Sequence, residues 1–190
     1  MTKYCTDSSY GYNGFTDATD AKTELDLEDD AAYVNWGPAW RMPSTEQFQE
    51  LYNSNYTTTE WTTQNGVYGR KITSKANGNS IFLPAAGYRN DSSFSRAGSD
   101  GYYWSRTLYS GYPNDARSLR FGSNYIEAMR SSRCYGRSVR PVCIDSSQAN
   151  HEYVDLGLPS GTLWAKTNIG ASSPEEYGLY FAWGETEGYQ

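Results

Sequence analysis

Apolar and polar positions alternate along this chain in two different rhythms. In the run WRMPSTEQFQELY the rhythm is helical, because Phe48, Leu51 and Tyr52 fall at i, i+3 and i+4 and make one apolar stripe. Ser44 is a good N-cap and Gln47, three residues on, completes a capping box, so the spacing predicts a helix docked on a core by that stripe. Just upstream, LEDDAAYVNWG reads as a second short helix, with Glu28, Asp29 and Asp30 in a first turn where carboxylates meet the positive end of the dipole. That acidic cluster is expected to cap and solvate the helix rather than to hold calcium.

Beyond Asn53 the period shortens to two. RKITS (70–74) and SIFLP (80–84) flank Asn77-Gly78, which predicts a hairpin. GYYWS (101–105) reads as a strand. ARSLRF (116–121) alternates, with Leu119 and Phe121 on one face and Ser118, Arg120 and Gly122 on the other. Tyr125–Met129 and Ser138–Val142 supply two more short strands. The first 25 residues read as polar, Gly-punctuated loop. Asp145–Asn150 reads as a linker, after which strand-like text returns around Leu163, Trp164, Phe181 and Trp183. A tail of about 40 residues cannot bury those rings alone. Residues 151–190 are therefore expected to complete the core of residues 1–143 across a linker at 144–150, within the chain or by exchange between chains.

Composition narrows the class. The apolar fraction is only 37%, yet 18 Tyr, 6 Trp and 6 Phe argue against disorder, because disordered chains are poor in rings. At 190 residues the chain suits one domain, and its frequent Gly and Ser favour a loop-rich α+β or mostly β fold. No run approaches a membrane span, and the start lacks the layout of a signal peptide, which leaves export from a longer precursor open. Cys5, Cys134 and Cys143 have no metal-ligand spacing. Three cysteines cannot form a closed disulfide set, so reduced or buried thiols are expected, with a Cys5–Cys143 bridge as the alternative.

Charge is the most unusual property. Between Ser105 and Arg140 stand seven arginines and no lysine, against two acidic residues, Asp115 and Glu127, in a chain whose net charge is −6. The arginines are interleaved with tyrosines and padded with Ser, Gly and Asn, the composition of protein recognition surfaces. The acidic remainder argues against a general nucleic-acid binder.

Seven blocks, HEYVDLGLPSGTLWA, EEYGLYFAWGE, EDDAAYVNWG, WRMPSTEQFQEL, NGNSIFLPAAGYR, GYYWS and RSVRPV, together resemble the Fibrobacter succinogenes major paralogous domain and related Bacteroidetes surface domains. WRMPSTEQFQEL is also similar to a segment of formylglycine-generating-enzyme-like proteins. The resemblance implies an α+β, C-type-lectin-like fold with two short helices, antiparallel strands, long loops and terminal strands that pair. The order is rotated, since text like His151–Glu187 comes first in the family and RSVRPV last. That implies a circular permutant or a slice across two tandem copies. Eight residues reach roughly 26 Å when extended, so the bridge from Cys143 to His151 is easily made.

The same fold family includes the variable proteins of diversity-generating retroelements, in which adenine-directed mutagenesis rewrites a patch near the family's carboxyl end. Residues 105–137 would be that patch here. Randomising the first two bases of an AAC codon yields Asn, Tyr, Ser, Asp, Gly, Arg, Cys, Ala and Thr among others, and never Lys, Gln, Glu, Met or Trp. The patch contains no Lys, Gln or Trp, while Glu127 and Met129 depart from the rule.

Enzymatic chemistry finds little purchase. His151 is the one histidine and stands at the linker edge. No P-loop, H-E-x-x-H or C-x-x-C run occurs, and no motif around the cysteines matches the catalytic pair of formylglycine-generating enzymes. The calcium-and-sugar triplets of C-type lectins are absent as well. The expectation is therefore a non-enzymatic binding protein with no cofactor and no metal, extracellular on a bacterial surface or a phage virion. Its partner would be a cell-surface protein or glycan, with no nucleic acid and no membrane span, and a strand-exchanged homo-oligomer is the further partner considered. Expected ligand-binding residues are Arg106, Tyr109, Tyr112, Asn114, Arg117, Arg120, Tyr125, Glu127, Arg130, Tyr135 and Arg137. Arg133 and Arg140 lie in scaffold-like text and are expected to be structural. The competing readings are a structural repeat module of a large surface protein and a degenerate formylglycine-generating-enzyme-like protein.

Overall fold

A computed structural model of the chain describes residues 4, 20 and 22–190. Most of the loop read over the first 25 residues, and Cys5, lie outside that range. Both predicted helices form and both are short. Asp30 caps α1 (Ala31–Trp36), and Gly37, at φ +92°, ends it. The Asp30 carboxylate accepts from the amides of Ala32, Tyr33 and Met42 and meets Arg41 Nε at 2.8 Å, so this fully buried charge is satisfied on every side. Glu28 and Asp29 stand one turn earlier, in a 3-10 turn at Leu27–Asp29. The capping box opens α2 (Thr45–Leu51): Ser44 Oγ accepts from Gln47 N, and Gln47 Oε1 accepts from Ser44 N.

The rest is strand. β1 (Trp40–Arg41) lies between the helices, and β2 (Thr57–Gln64), β3 (Val67–Ser74) and β4 (Ser80–Pro84) form an antiparallel sheet in that order. The Asn77-Gly78 turn joins β3 to β4, with Gly78 at φ +76°. A small hairpin of β5 (Tyr88–Asn90) and β6 (Ser93–Ser95) leads into a second sheet, ordered β7 (Gly101–Leu108), β8 (Asp115–Phe121), β9 (Ile126–Ser132). Gly101 is required there, since a Cβ would sit 2.1 Å from the Phe121 ring that crosses it. The last sheet runs β1, β10 (Val142–Cys143), β12 (Leu163–Ala165), β11 (Tyr153–Asp155).

The expectation of an α+β, C-type-lectin-like fold is overturned. Among the described residues twelve strands in small antiparallel sheets stand against two α-helices of six and seven residues, which makes the chain mostly β. Two causes are local: Gly37 stops α1, and the β-branched run Thr57–Thr63 favours strand straight after α2. The strand expected at Ser138–Val142 shrinks to a bridge at Ser138 and the two residues of β10. Alternation in β8 is also incomplete, because Ser118 is as buried as Leu119.

That last departure has a cause in the packing. The β7–β8–β9 sheet is covered on both faces. Trp104, Leu108 and Ala116 face a cluster with Trp36, Trp40, Phe181 and Trp183, while Tyr103, Leu119 and Phe121 face another with Phe48, Leu51, Ile72 and Trp164. Residues 151–190 contribute to both. Trp183 Nε1 donates to Ser105 O at 2.7 Å, and Trp104 Nε1 donates to Phe181 O at 2.8 Å. Residues 144–150 are docked as well: Trp40 Nε1 donates to Asn150 Oδ1, and the His151 ring stacks 3.8 Å from Trp36. No helix among the described residues is long and apolar enough to cross a membrane.

Candidate functional site

The pleat of the β7–β8–β9 sheet divides the arginine-rich run. Arg117 pairs with Arg130 across β8 and β9 on one face, and Arg120 pairs with Tyr102 and Glu127 on the other. The site expected from sequence is therefore two groups.

The first group gathers at the β7–β8 turn. Tyr109 and Tyr112 stack in parallel, 6.1 Å apart at 4°. The Arg117 guanidinium lies 4.5 Å from the Tyr109 centroid, and that of Arg130 lies 4.5 Å from Tyr112 and 5.5 Å from Tyr109. Like charges directly opposite on a sheet repel. Here the π faces offset that repulsion, helped by Asp115, 3.7 Å from Arg130. Among the described residues the Arg117 side chain makes no hydrogen bond or ion pair, so its donor fork is unspent. Asn114 is exposed in the same loop. A cleft of about 450 Å³ opens beside Arg117, lined by Thr45, Glu46, Gln49, Tyr52 and Thr107.

The second group is centred on one interior cation. Arg137 is 3% exposed. Its guanidinium donates to Ser118 Oγ at 2.9 Å and lies 4.8 Å from Tyr102 and 4.6 Å from Trp104. Burial pulls it down to about 10, so it stays charged at neutral pH. Arg120 lies between Tyr102 and Tyr125, at 5.7 and 4.6 Å. Tyr125 donates to Asp100 Oδ1 at 2.6 Å, and burial followed by that bond pushes its hydroxyl up to about 12. Tyr135 packs 5.3 Å from Tyr88, and Glu127 is exposed at the end of the row.

Arg106 belongs to neither group. It is spent on Glu24, the Met42 carbonyl and Gln47. Arg133 is buried against Trp183 at 4.5 Å and donates to Pro113 O. Arg140 is fully buried, with bonds to Asn168 Oδ1 and the carbonyls of Ala165, Lys166 and Phe82. Sequence reasoning passed over Arg70, which donates to the carbonyls of Gly122, Ser123 and Tyr125 and so holds the β8–β9 turn. Nothing in its strand text marks it.

Carboxylates of Asp26, Glu28 and Asp29 lie within 4.8 Å of one another. Lys22 engages Asp26, and the Tyr4 hydroxyl donates to Asp29 and accepts from Asp26 N, which gives the cluster a structural role. Cys134 is an exposed free thiol, and Cys143 is a buried one whose pKa is raised by that burial.

The family model of a domain of unknown function (DUF8237) matches residues 45–142, just over half of the chain, from the start of α2 to the first residue of β10. No curated protein and no solved structure matches.

Proposed function

We propose that this chain, which belongs to the DUF8237 family, is a non-enzymatic binding protein that recognises a protein or glycan on a cell surface. The observation that carries the reading is the Tyr109–Tyr112 stack flanked by Arg117 and Arg130. Rings and guanidiniums locked against one another lose little freedom on contact with a partner, while offering area and forked donors.

Retroelement-style diversification belongs to the same proposal. The two residues that break the codon rule, Glu127 and Met129, pair with Arg120 and Ser118 and so point to the face opposite the stack. From Tyr109 to Asp115, and at Arg117, Ile126, Ala128, Arg130 and Ser132, every residue obeys it. Resequencing the locus from sister strains tests this: substitutions clustered at these positions support it, and an unvaried patch sinks it. For binding itself, arrays of bacterial surface proteins and glycans are probed with the chain and with a Tyr112→Ala, Arg130→Ala double variant. Hits that survive the double substitution in a folded chain would overturn the site assignment.

A further inference from the structure

β2 is an edge strand whose outer side no strand covers among the described residues, and we propose that two copies of the chain join there, antiparallel and edge to edge, without exchanging any segment. Natural edges of this length are blunted by proline, lysine, a bulge or a covering side chain. Among the described residues β2 shows no proline, lysine or bulge, and the neighbouring carboxylate of Glu175 reaches only its last residue, accepting from Gln64 Nε2. TTTEWTTQ pairs with β3 over eight consecutive residues with no shift, and its single charge, Glu60, already faces Lys71 within the sheet. Five of its eight residues are β-branched threonines. Two other edges are protected: Arg140 caps the Phe82 carbonyl on β4, and the Tyr52 hydroxyl accepts from the Ala128 amide on β9, which also carries Glu127 and Arg130.

Charge selects the register. A two-fold axis perpendicular to the sheet keeps the buried faces aligned, and two registers then retain about seven paired residues. One places Glu60 opposite its own copy, and like charges directly opposite are destabilising. The other centres on Trp61 and sets Glu60 opposite Thr62, Thr58 opposite Gln64 and Thr59 opposite Thr63 of the second copy. This register makes about six to eight new backbone hydrogen bonds. It also brings together two Trp61 rings, each stacked on its own Tyr68. The result is a continuous sheet of six strands, three from each copy.

Sedimentation equilibrium between about 1 µM and 1 mM tests the proposal on the wild type and two variants of Thr62, a half-buried position that pairs with Gly69 of β3. The wild type should form a concentration-dependent dimer. Thr62→Glu, which places a second carboxylate opposite Glu60 twice per dimer, should weaken association about tenfold, and Thr62→Lys should strengthen it about as much. Circular dichroism checks that each variant is folded. A wild type monomeric throughout that range overturns the proposal. So does a dimer that both variants shift in the same direction, or that neither shifts. None of these outcomes bears on the recognition face, which lies on another sheet.

Discussion

Seven arginines drawn from one short run end in opposite circumstances. Arg137 and Arg140 are interior cations, while Arg117 and Arg130 stand at the open end of the β7–β8–β9 sheet with only rings and one nearby carboxylate for company. What differs is what distant segments bring to them. Arg140 receives three carbonyls and an asparagine oxygen from residues 82 and 165–168. Arg137 receives the rings of Tyr102 and Trp104, and its backbone pairs with Phe181. A buried charge is tolerated only with such partners. Arginine composition alone therefore marks neither a binding face nor a core, and the supply of acceptors decides.

Removing an interior arginine should show that dependence most strongly. Arg140→Ala strands four acceptors and should cost about 3–5 kcal/mol in denaturant unfolding. Arg137→Ala loses one hydrogen bond and two ring contacts and should cost about 2 kcal/mol. The double change Arg117→Ala, Arg130→Ala should move stability by less than about 0.5 kcal/mol, since it also removes a like-charge pair, while abolishing partner binding. A loss there as large as that of Arg137→Ala would erase the distinction between the two regions. The smallest effect lies outside both and serves as a control. Burial lowers the His151 pKa, so the folded chain holds a neutral imidazole against Trp36. Its contribution is complete above the ordinary value of 6.5 and is lost as pH falls below it, because the unfolded chain then binds the proton more readily. The thermal midpoint of the wild type should fall relative to that of His151→Phe as the pH is lowered.

Features encoded locally were legible in the sequence. The Ser44–Gln47 capping box, the Asn77-Gly78 hairpin and the β7 and β8 strands depend on residues a few positions apart, and each was found in place. Features that depend on distant partners were not. Ser118 looked like a solvent-facing position because alternation assumes one covered face, and the Arg137 guanidinium covers the other. Arg137 itself looked available because Phe181, which pairs with it, lies more than forty residues away. The α+β class came from the resemblance, whereas composition had left a mostly β fold open, and helices of six and seven residues are too short to set the class. The Arg117–Arg130 pairing needed a strand register that no local spacing specifies.

β10 sits between β1, a hundred residues earlier, and β12, twenty residues later. During synthesis its second neighbour, β12, is made only after β10 itself. Until Leu163–Ala165 emerges, Val142 and Cys143 have an unsatisfied edge, and the buried sites of Trp104 and Arg137 lack the backbone that closes them. Closure of this sheet therefore joins segments far apart in sequence, which makes its formation slower than that of the local hairpins.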